Sequence, residues 1–439
     1  MKYILILSFV LLFSACKSNT KQVAEGDSAL VSVIDLSQNV SKVESLPISD
    51  AVSKIDIVPL EVTERSMLGG IDKLQVTQDD IWIKTYRNEC IYRFSRSGKF
   101  LNNVGKVGQG PEEYIDLHDF ILNEKQKEVY IISSVSGVKV YDFDGNYKRR
   151  ITNLKVDDMI TAHKEQFVFH LNSVFLSQNL GIQKPIASPK DSLWSIALLD
   201  STFCKKKIFK NPVHIGKEEL LVEHRSKPES YDIVNYWTEL QTAISTYRDE
   251  LTLKFPDTDT IYRYDISKQE FISQYSICTG EEKGDYEFTH LWIKDRKAFD
   301  YFTIAGYYPT MDYIYLVCNK GEEIYTYCFA KKEGTVSKQI RKGKIIERKL
   351  PWFSTPHLLL ERPFTLKNDL IGGDFTVDYH SYGKYWIDLL DVNSGDCKVS
   401  VEELKQYSVK DGEGRDKIID ILKKVNEDSN PILLIATLK

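Results

Sequence analysis

Short apolar runs separated by turn residues follow one another from Val52 almost to the end of the chain. They are rich in Ile, Val, Tyr and Phe, which is typical of β-strands. The clearest runs are KIDIVPLEV, DDIWIKTY, CIYRFS, EVYIISS, VKVYDFDG, DTIYRYD, YIYLVC, EIYTYCF and YWIDLLD. This pattern predicts an all-β fold for the greater part of the chain.

Two β-hairpins can be placed from their turn residues. Ser97-Gly98 lies between CIYRFS and FLNNVG, and Asp144-Gly145 lies between VKVYDF and YKRRI. Glycine supplies the positive φ that a two-residue β-turn requires. The second turn superficially resembles a calcium loop, but its glycine comes too early and no Glu follows at the twelfth position. Both dipeptides are therefore predicted to be hairpin turns.

The strand pattern recurs along the chain. DDIWIKTYRNECIYRFSRSGKF is followed, roughly 50 residues later, by KEVYIISSVSGVKVYDFDGNYKRR. A period of roughly 40–50 residues with several short strands is typical of the blades of a β-propeller. The folded part, about 390 residues, would make eight or nine compact blades, or six blades with insertions.

The C-terminal region predicts a short helix and a closing strand. GRDKIIDILKKV places Ile418, Ile419, Leu422 and Val425 at helical spacing. An Asn-Pro break separates this helix from a last apolar run, ILLIATL. If the last strand pairs with an early blade, the ring closes and no sheet edge is left exposed there.

The first sixteen residues form a separate element. Lys2 precedes the apolar run Ile4–Phe13, and the small residues Ser14 and Ala15 stand directly before Cys16. This run is shorter than the ~20 residues that a membrane-spanning helix needs, and it has the length of a secretory h-region. The segment resembles a bacterial lipoprotein signal, which implies that the signal peptide is removed and that Cys16 carries the lipid.

This resemblance, the polar and aperiodic composition of residues 17–45 and the strand pattern after them divide the chain into three parts. They are a signal peptide at 1–15, the lipidated cysteine with a flexible tether at 16–45, and the propeller domain at 46–439. We expect the lipid to hold the protein in the cell envelope. The residues after Cys16, KSNT, lack the acidic residues of many surface-exposed lipoproteins. We therefore expect attachment to the outer membrane, facing the periplasm.

Composition narrows the classes of partner. The formal net charge of the 439-residue chain is only -5, and no long basic block occurs, so no nucleic-acid partner is expected.

Apart from Cys16, six cysteines remain, an even number that allows disulfides in an exported protein. Cys318 and Cys328 lie in strand-like runs, where cysteine behaves as a small hydrophobe. Buried thiols are therefore the favoured interpretation, with disulfides as the alternative.

A glycine-rich segment, GKVGQGPEEYIDLHD at 105–119, is the most distinctive motif. It resembles the six-bladed propeller lipoproteins of Bacteroidetes and, more distantly, repeats of the NHL type. VPLEVTE (58–64), DTIYRYD (259–265) and NPILLIATLK (430–439) support this resemblance. The family implies six blades and an export signal, and it implies no particular reaction. The expected fold is thus an all-β, six-bladed β-propeller with a short C-terminal helix and a closing strand.

The glycine segment has a structural and a functional interpretation. In the first it joins two blades, with glycines permitting turns, proline stiffening the exit and tyrosine filling the gap between blades. In the second, Glu112 and Glu113 lie at a ligand-binding face. The residues concerned are Gly105, Gly108, Gly110, Pro111, Glu112, Glu113 and Tyr114.

No catalytic motif was found in the sequence. The sequence contains no zinc-binding H-E-x-x-H, no P-loop, no G-x-S-x-G elbow and no dinucleotide fingerprint. Propeller enzymes assemble their sites from residues far apart in the sequence, so titratable residues are the candidates for a site in the channel. Each is a titratable side chain near a glycine loop or an aromatic run: His118, Asp119, Asp374, Asp378 and His380.

These observations favour a binding or scaffold module for a glycan, a peptide or an envelope protein, with its site at the channel mouth where loops converge. Aromatic residues make up 12% of the chain and could supply a sugar-stacking surface. The alternative is a metal-dependent hydrolase or lyase with its site at the same mouth. The sequence predicts no cofactor and leaves open a calcium or similar ion in the channel. The membrane, reached through the lipid, is the other expected partner.

Overall fold

The fold is taken from a computed structural model. It describes residues 31–87, 89–133, 135–152, 166–170, 173–177, 194–217, 219, 243–247, 250–255, 258–281, 300–348, 357–361, 363–381, 383–390 and 399–439. The predicted signal peptide 1–15, Cys16, the first half of the tether and Cys397 lie outside these ranges.

The first three strands of the described chain each pair with a strand that comes much later in the sequence. They are β1 (Ser32–Asp35), β2 (Val40–Lys42) and β3 (Val52–Pro59). Three four-stranded antiparallel blades follow. Blade 1 contains β4 (Ile71–Val76), β5 (Asp80–Thr85), β6 (Ile91–Ser95) and β7 (Phe100–Val104). Blade 2 contains β8 (Asp119–Asn123), β9 (Glu128–Ser133), β10 (Gly137–Asp142) and β11 (Tyr147–Ile151). Blade 3 contains β12 (Gln166–His170), β13 (Ser173–Ser177), β14 (Ile196–Leu199) and β15 (Lys205–Phe209).

Blades 4 and 5 have the same meander order, whereas blade 6 takes its fourth strand from the N-terminal part of the chain. Blade 4 contains β16 (Ala243–Tyr247), β17 (Glu250–Lys254), β18 (Thr260–Asp265) and β19 (Glu270–Cys278). Blade 5 contains β20 (Thr303–Pro309), β21 (Tyr313–Lys320), β22 (Glu323–Ala330) and β23 (Thr335–Lys342). Two small hairpins come next, β24 (Lys344–Arg348) with β25 (His357–Glu361), and β26 (Thr365–Lys367) with β27 (Asp374–Thr376). Blade 6 contains β28 (Tyr379–Ser381), β29 (Tyr385–Leu390), β30 (Ile432–Leu438) and the N-terminal strand β3.

These sheets form a six-bladed β-propeller, as predicted. The first strand of each blade is the innermost, and neighbouring inner strands contact one another, as β8 contacts β12 and β28 contacts β4. Both predicted hairpin turns are confirmed, because Gly98 and Gly145 adopt φ of 88° and 92° between paired strands.

The ring closes through blade 6. The last strand, β30, pairs antiparallel with β3 from Val52 to Pro59, so the two ends of the folded chain share one sheet. The prediction of a closing strand that pairs with an early segment is therefore confirmed. Closure of this kind joins the first and last blades through main-chain hydrogen bonds.

The predicted tether boundary is wrong, because the fold starts before residue 46. Strand β1 pairs in parallel with β19 at the outer edge of blade 4, and β2 pairs in parallel with β23 at the outer edge of blade 5. Together with β3, these strands form an N-terminal strap, residues 32–59, across three consecutive blades. The strap strands β1 and β2 are four and three residues long, which is too short for a recognisable alternation in the sequence.

The hydrophobic core consists of six clusters, each between two neighbouring blades. Trp82 of blade 1 and Phe120 of blade 2 share one cluster, for example, and Leu253 of blade 4 packs in the cluster that contains Phe175 of blade 3. Burial between blades is how each sheet removes both of its faces from water.

Two α-helices occur in the described residues, α1 (Val401–Leu404) and α2 (Gly412–Leu422). The predicted C-terminal helix corresponds to α2, whose Ile418 and Ile419 pack in the cluster between blades 5 and 6. The side chain of Asp411 caps α2 by accepting a hydrogen bond from the Gly414 N–H at 2.9 Å. In the described part of the chain, no helix has the length and apolar character required to cross a membrane.

All five described cysteines carry free thiols. Cys318 and Cys328 are buried in β21 and β22, which confirms their interpretation as small core residues. Burial raises the pKa of the Cys328 thiol to about 12, so this thiol stays protonated and unreactive at neutral pH.

Candidate functional site: the upper mouth of the channel

Inner strands from blades 6, 1 and 2 begin at the same end of the channel. The Tyr379 hydroxyl donates to the carbonyl oxygen of Ile71 at 2.9 Å, and the Ser381 hydroxyl donates to that of Val76 at 2.9 Å. Strands β28 and β4 therefore run in the same direction. We call the end at which they begin, marked by Ile71, Asp119 and Tyr379, the upper mouth.

An ion pair connects blades 1 and 2 at the upper mouth. The Lys73 ammonium on β4 lies 2.6 Å from Asp119 Oδ1 on β8 and also donates to the Phe120 carbonyl oxygen at 2.9 Å. The Phe120 N–H donates to the same Asp119 oxygen at 2.7 Å. The other carboxylate oxygen of Asp119 is buried and has no hydrogen-bond partner among the described residues. Asp119, one of the predicted channel candidates, therefore has a fixed position on an inner strand.

His380, a second candidate, lies on the inner strand β28 close to this ion pair. Its side chain is exposed to solvent, but the surrounding inner strands restrict the water around it. This enclosure lowers the pKa of His380, and the Lys73 ammonium lowers it further. The imidazole is consequently neutral at pH 7, so it can both donate and accept a hydrogen bond.

The other three channel candidates occupy different positions. Asp378 is exposed just before β28 at the upper mouth, and its Oδ2 accepts a hydrogen bond from the Leu389 N–H at 2.9 Å. His118 is half-buried immediately before β8. Asp374 lies away from the channel, on the β26–β27 hairpin, with its carboxylate 3.7 Å from Arg341 on the outer strand of blade 5. The structure thus brings Asp119, Asp378 and His380 to one mouth and leaves Asp374 out.

The glycine segment joins β7 of blade 1 to β8 of blade 2. Tyr114 is fully buried between these blades, and its hydroxyl donates to the Glu89 carbonyl oxygen at 3.0 Å. Gly105, with φ of 76°, gives the ring room, since a Cβ at this position would lie 2.6 Å from Tyr114. The carbonyl oxygens of Pro111 and Glu112 accept hydrogen bonds from Lys139 and Tyr141 of blade 2.

The two glutamates of this segment differ in their surroundings. Glu113 turns back into its own loop, where the Gly110 N–H donates to its Oε2 at 3.0 Å. This hydrogen bond is the main reason that the pKa of Glu113 is lowered. A Cβ on Gly108 would collide with the same carboxylate, at 1.9 Å from Oε2. Glu113 thus holds the loop together, whereas the side chain of Glu112 is exposed to solvent.

Sequence reasoning missed a pair of exposed side chains at the upper mouth. Tyr86 and Arg87 follow β5, and they lie against the two glycines that precede β4. The Tyr86 N–H donates to the Gly70 carbonyl oxygen at 3.0 Å. A Cβ on Gly70 would lie 2.9 Å from Cδ2 of Tyr86, and one on Gly69 would lie 3.5 Å from Nε of Arg87. The sequence signal that could have pointed to this pair is the Gly-Gly directly before the IDKLQV strand.

The pKa of Tyr379 depends on several groups at the upper mouth. Burial raises its pKa, and Tyr86, Asp378 and Asp72 raise it further in that order. These three residues therefore lie near Tyr379 at the upper mouth. Within the described ranges, no group of three or more His, Cys, Asp or Glu residues has the arrangement of a metal site.

The fold defines the class of this protein as a six-bladed β-propeller. Residues 31–437 match the family described as a domain of unknown function, DUF4934, and the chain belongs to that family. No curated protein matches the sequence.

Three similar solved structures come from Bacteroides species. A protein of Bacteroides fragilis described as exported is 18% identical over 93% of this chain and 100% of its own, with a TM-score of 0.57. A DUF4221 family member from Bacteroides vulgatus is 11% identical over 71% of this chain and 98% of its own, with a TM-score of 0.40. The extracellular domain of a two-component system from B. thetaiotaomicron is 10% identical over 75% of this chain and 34% of its own, with a TM-score of 0.35. The first of these likenesses establishes that the propeller fold is shared.

Proposed function

We propose that this protein is an extracytoplasmic binding or scaffold module that holds a glycan, a peptide or an envelope protein at the upper mouth. One observation carries the proposal: Tyr86 and His380, two exposed side chains of different chemistry, lie at the same mouth as the Lys73–Asp119 ion pair. Loops and strand ends converge at a channel mouth, so a ligand can contact several blades at once.

The groups at this mouth suit recognition of a polar ligand. A neutral imidazole and a phenol exchange hydrogen bonds without adding charge, and the phenol ring also offers an apolar surface. The Lys73–Asp119 pair satisfies most of its own hydrogen bonds, which suits a role in positioning the inner strands. Binding residues on a rigid scaffold lose little conformational entropy when the ligand arrives.

The test is a binding screen followed by matched substitutions. A glycan array, a peptide library and purified envelope proteins are the probes, and titration of each hit gives its dissociation constant. Substitutions His380→Ala and Tyr86→Ala should each weaken binding about tenfold, equivalent to about 1.4 kcal/mol. Asp374→Ala, on the outer hairpin, should leave binding unchanged. Binding that survives both mouth substitutions would contradict the proposed site.

Two further measurements separate this function from the hydrolase or lyase alternative. Incubating each bound ligand with the protein and analysing the products tests for turnover. Repeating the titration with calcium and with EDTA tests for a channel ion. Turnover that disappears with EDTA would replace the binding module by the metal-dependent enzyme.

We also propose that Cys16 anchors the protein by a lipid, at the outer membrane and facing the periplasm. The exported relative with the same fold supports the compartment, and the sequence around Cys16 supports the anchor. Cys16→Ala should move the protein from the membrane to the soluble fraction, while Ser18→Ala should leave it attached. Digestion by protease added to intact cells would instead indicate the outer surface.

A further inference from the structure

We propose that Tyr86 and Arg87 form a subsite for an acidic saccharide, a sugar unit that carries a carboxylate, as in a uronic acid. This inference rests on the proposed binding function and specifies the ligand of the same mouth. It depends on four neighbouring residues, Gly69, Gly70, Tyr86 and Arg87, and on the groups that surround them.

The backbone holds this pair in place before any ligand is bound. The Tyr86 N–H bond to Gly70 extends the β4–β5 pairing by one step. The two side chains then rest on adjacent glycines, with Tyr86 over Gly70 and Arg87 beside Gly69. A larger residue at position 70 would push the ring away, since its Cβ would already be 2.9 Å from Tyr86 Cδ2. Preorganisation of this kind reduces the entropic cost of binding.

Both residues are exposed to solvent at the rim. The side chain of Tyr86 is 69% exposed, although tyrosine normally buries much of its ring. Arg87 is exposed as well. A phenol ring and a guanidinium therefore lie on two adjacent glycines at the rim.

This combination matches the chemistry of a uronic acid. The apolar face of a sugar ring stacks on an aromatic ring, and a guanidinium binds a carboxylate through two parallel hydrogen bonds. The proposal requires one sugar unit to reach both Tyr86 and Arg87, which are consecutive and lie on consecutive glycines.

The surrounding charges favour isolated carboxylates over a densely sulfated chain. Asp72, paired with Lys84, and Asp378 both lie near Tyr379 at the same mouth. Their carboxylates accept hydrogen bonds from sugar hydroxyls but repel a polyanion. The neutral imidazole of His380 adds a further group that can bond to a hydroxyl.

The experiment compares three sugars on the full-length protein: trigalacturonate, the neutral galactose trisaccharide and a heparin-derived tetrasaccharide. Trigalacturonate should bind most tightly. Arg87→Gln should weaken the binding of trigalacturonate about tenfold and leave the binding of the neutral sugar unchanged. Arg87→Lys should restore part of the lost affinity. Tyr86→Ala should weaken the binding of both sugars, because the ring on which each sugar stacks is removed. Thermal melts of every variant verify that the fold is retained.

The outcomes distinguish this inference from the proposed function. Equal affinity for the neutral sugar, preference for the sulfated sugar, or no effect of Arg87→Gln would overturn the acidic-saccharide subsite. If a peptide or another ligand then binds with dependence on His380, the binding module stands and only the ligand class is wrong. If no ligand depends on either His380 or Tyr86, both proposals fail.

Discussion

Glycine 98 shows how a single residue determines the packing of the strap against a blade. Its φ is 88°, and an added Cβ would lie 2.1 Å from the Pro59 carbonyl oxygen of β3. The Glu61 N–H donates to the Gly98 carbonyl oxygen at 2.9 Å. The turn between β6 and β7 thus touches the chain where it leaves blade 6, and only glycine leaves room for that contact.

Gly98→Ala should therefore destabilise the protein by about 3 kcal/mol, through backbone strain and a steric clash. Gly334→Ala is the matched control, because Gly334 has φ of 68° and nothing within 4 Å of its added Cβ. It should cost about 1 kcal/mol, from strain alone. Chemical denaturation measures both free energies of unfolding, and equal losses would contradict the clash.

Glu128 is a charged residue whose ionisation stabilises blade 2. It is buried on β9 and accepts two hydrogen bonds from Arg149, at 2.7 and 2.9 Å, and one from the Tyr130 hydroxyl at 2.9 Å. Lys148 also lies 2.9 Å away. The Arg149 hydrogen bonds are the main reason that the pKa of Glu128 falls from its ordinary 4.5 to about 2.

This shift predicts a specific pH dependence. Because the pKa is lowered on folding, the stabilisation is fully present above about pH 4.5 and is lost as the pH falls towards about 2. Glu128→Gln should cost about 2 kcal/mol at pH 7, after allowing for solvent screening of the exposed cations. The difference from wild type should vanish near pH 2. Asp144→Asn, at a largely exposed carboxylate, should show little effect at any pH.

At the scale of elements, the strap is the feature that sequence reasoning placed wrongly. The side chain of Ile34 on β1 is fully buried in the cluster between blades 4 and 5. The adjacent Val33 is 60% exposed. This contrast is what an edge strand produces, since successive side chains point to opposite faces.

Ile34→Ala should lower the free energy of unfolding by about 3 kcal/mol, because it leaves a cavity in a packed cluster. Val33→Ala should change it by less than about 0.5 kcal/mol, because Val33 is on the surface. Urea titration of both variants provides the comparison. If both substitutions are neutral, the strap is not part of the cooperative core and the tether extends as far as the sequence predicted.

The strap also meets the C-terminal helices through a small polar cluster. The Ser49 hydroxyl lies 2.6 Å from the Asp369 carboxylate and accepts a hydrogen bond from the Lys410 ammonium at 2.7 Å. Although a serine beside a lysine is a known nucleophilic arrangement, the pKa of Lys410 is raised, chiefly by its hydrogen bond to Asp369. The lysine is therefore a cation and not a base, and the cluster links the strap to the segment before α2.

For the whole molecule, ring closure determines how the blades unfold. Leu433 on β30 is fully buried between blades 6 and 1, and Leu122 on β8 is almost as deeply buried between blades 1 and 2. Each blade buries its faces only against its neighbours. Loss of the packing between two blades therefore exposes the next blade to water.

Leu433→Ala and Leu122→Ala should therefore each cost about 3 kcal/mol and shift the same single unfolding transition. Tryptophans in blades 1, 3 and 6, at positions 82, 194 and 386, allow fluorescence to follow several blades while circular dichroism follows all strands. Coincident curves confirm cooperative closure. Separate transitions in the Leu433 variant would mean that blade 6 unfolds alone.

The candidate site was only partly predictable from the sequence. Asp119, Asp378 and His380 were chosen by residue type, and they do lie on or next to inner strands. Lys73, Tyr86 and Arg87 were missed because nothing in a strand sequence shows which of its residues borders a channel. Asp374 was included for its neighbouring glycines, yet its strand forms an outer hairpin. Proximity between residues from different blades depends on how the ring closes.

The strand content, the two hairpin turns, the C-terminal helix and the closing strand could all be predicted from the amino-acid sequence. Local physics suffices for these, because strand and helix periodicity, glycine turns and apolar runs act over a few residues. The folded structure was needed to show that residues 32–45 belong to the fold, and that Lys73, Asp119 and His380 share one mouth. Those outcomes depend on edge pairing and on contacts between residues that are hundreds of positions apart in the chain, whose free energy exists only after the ring has formed.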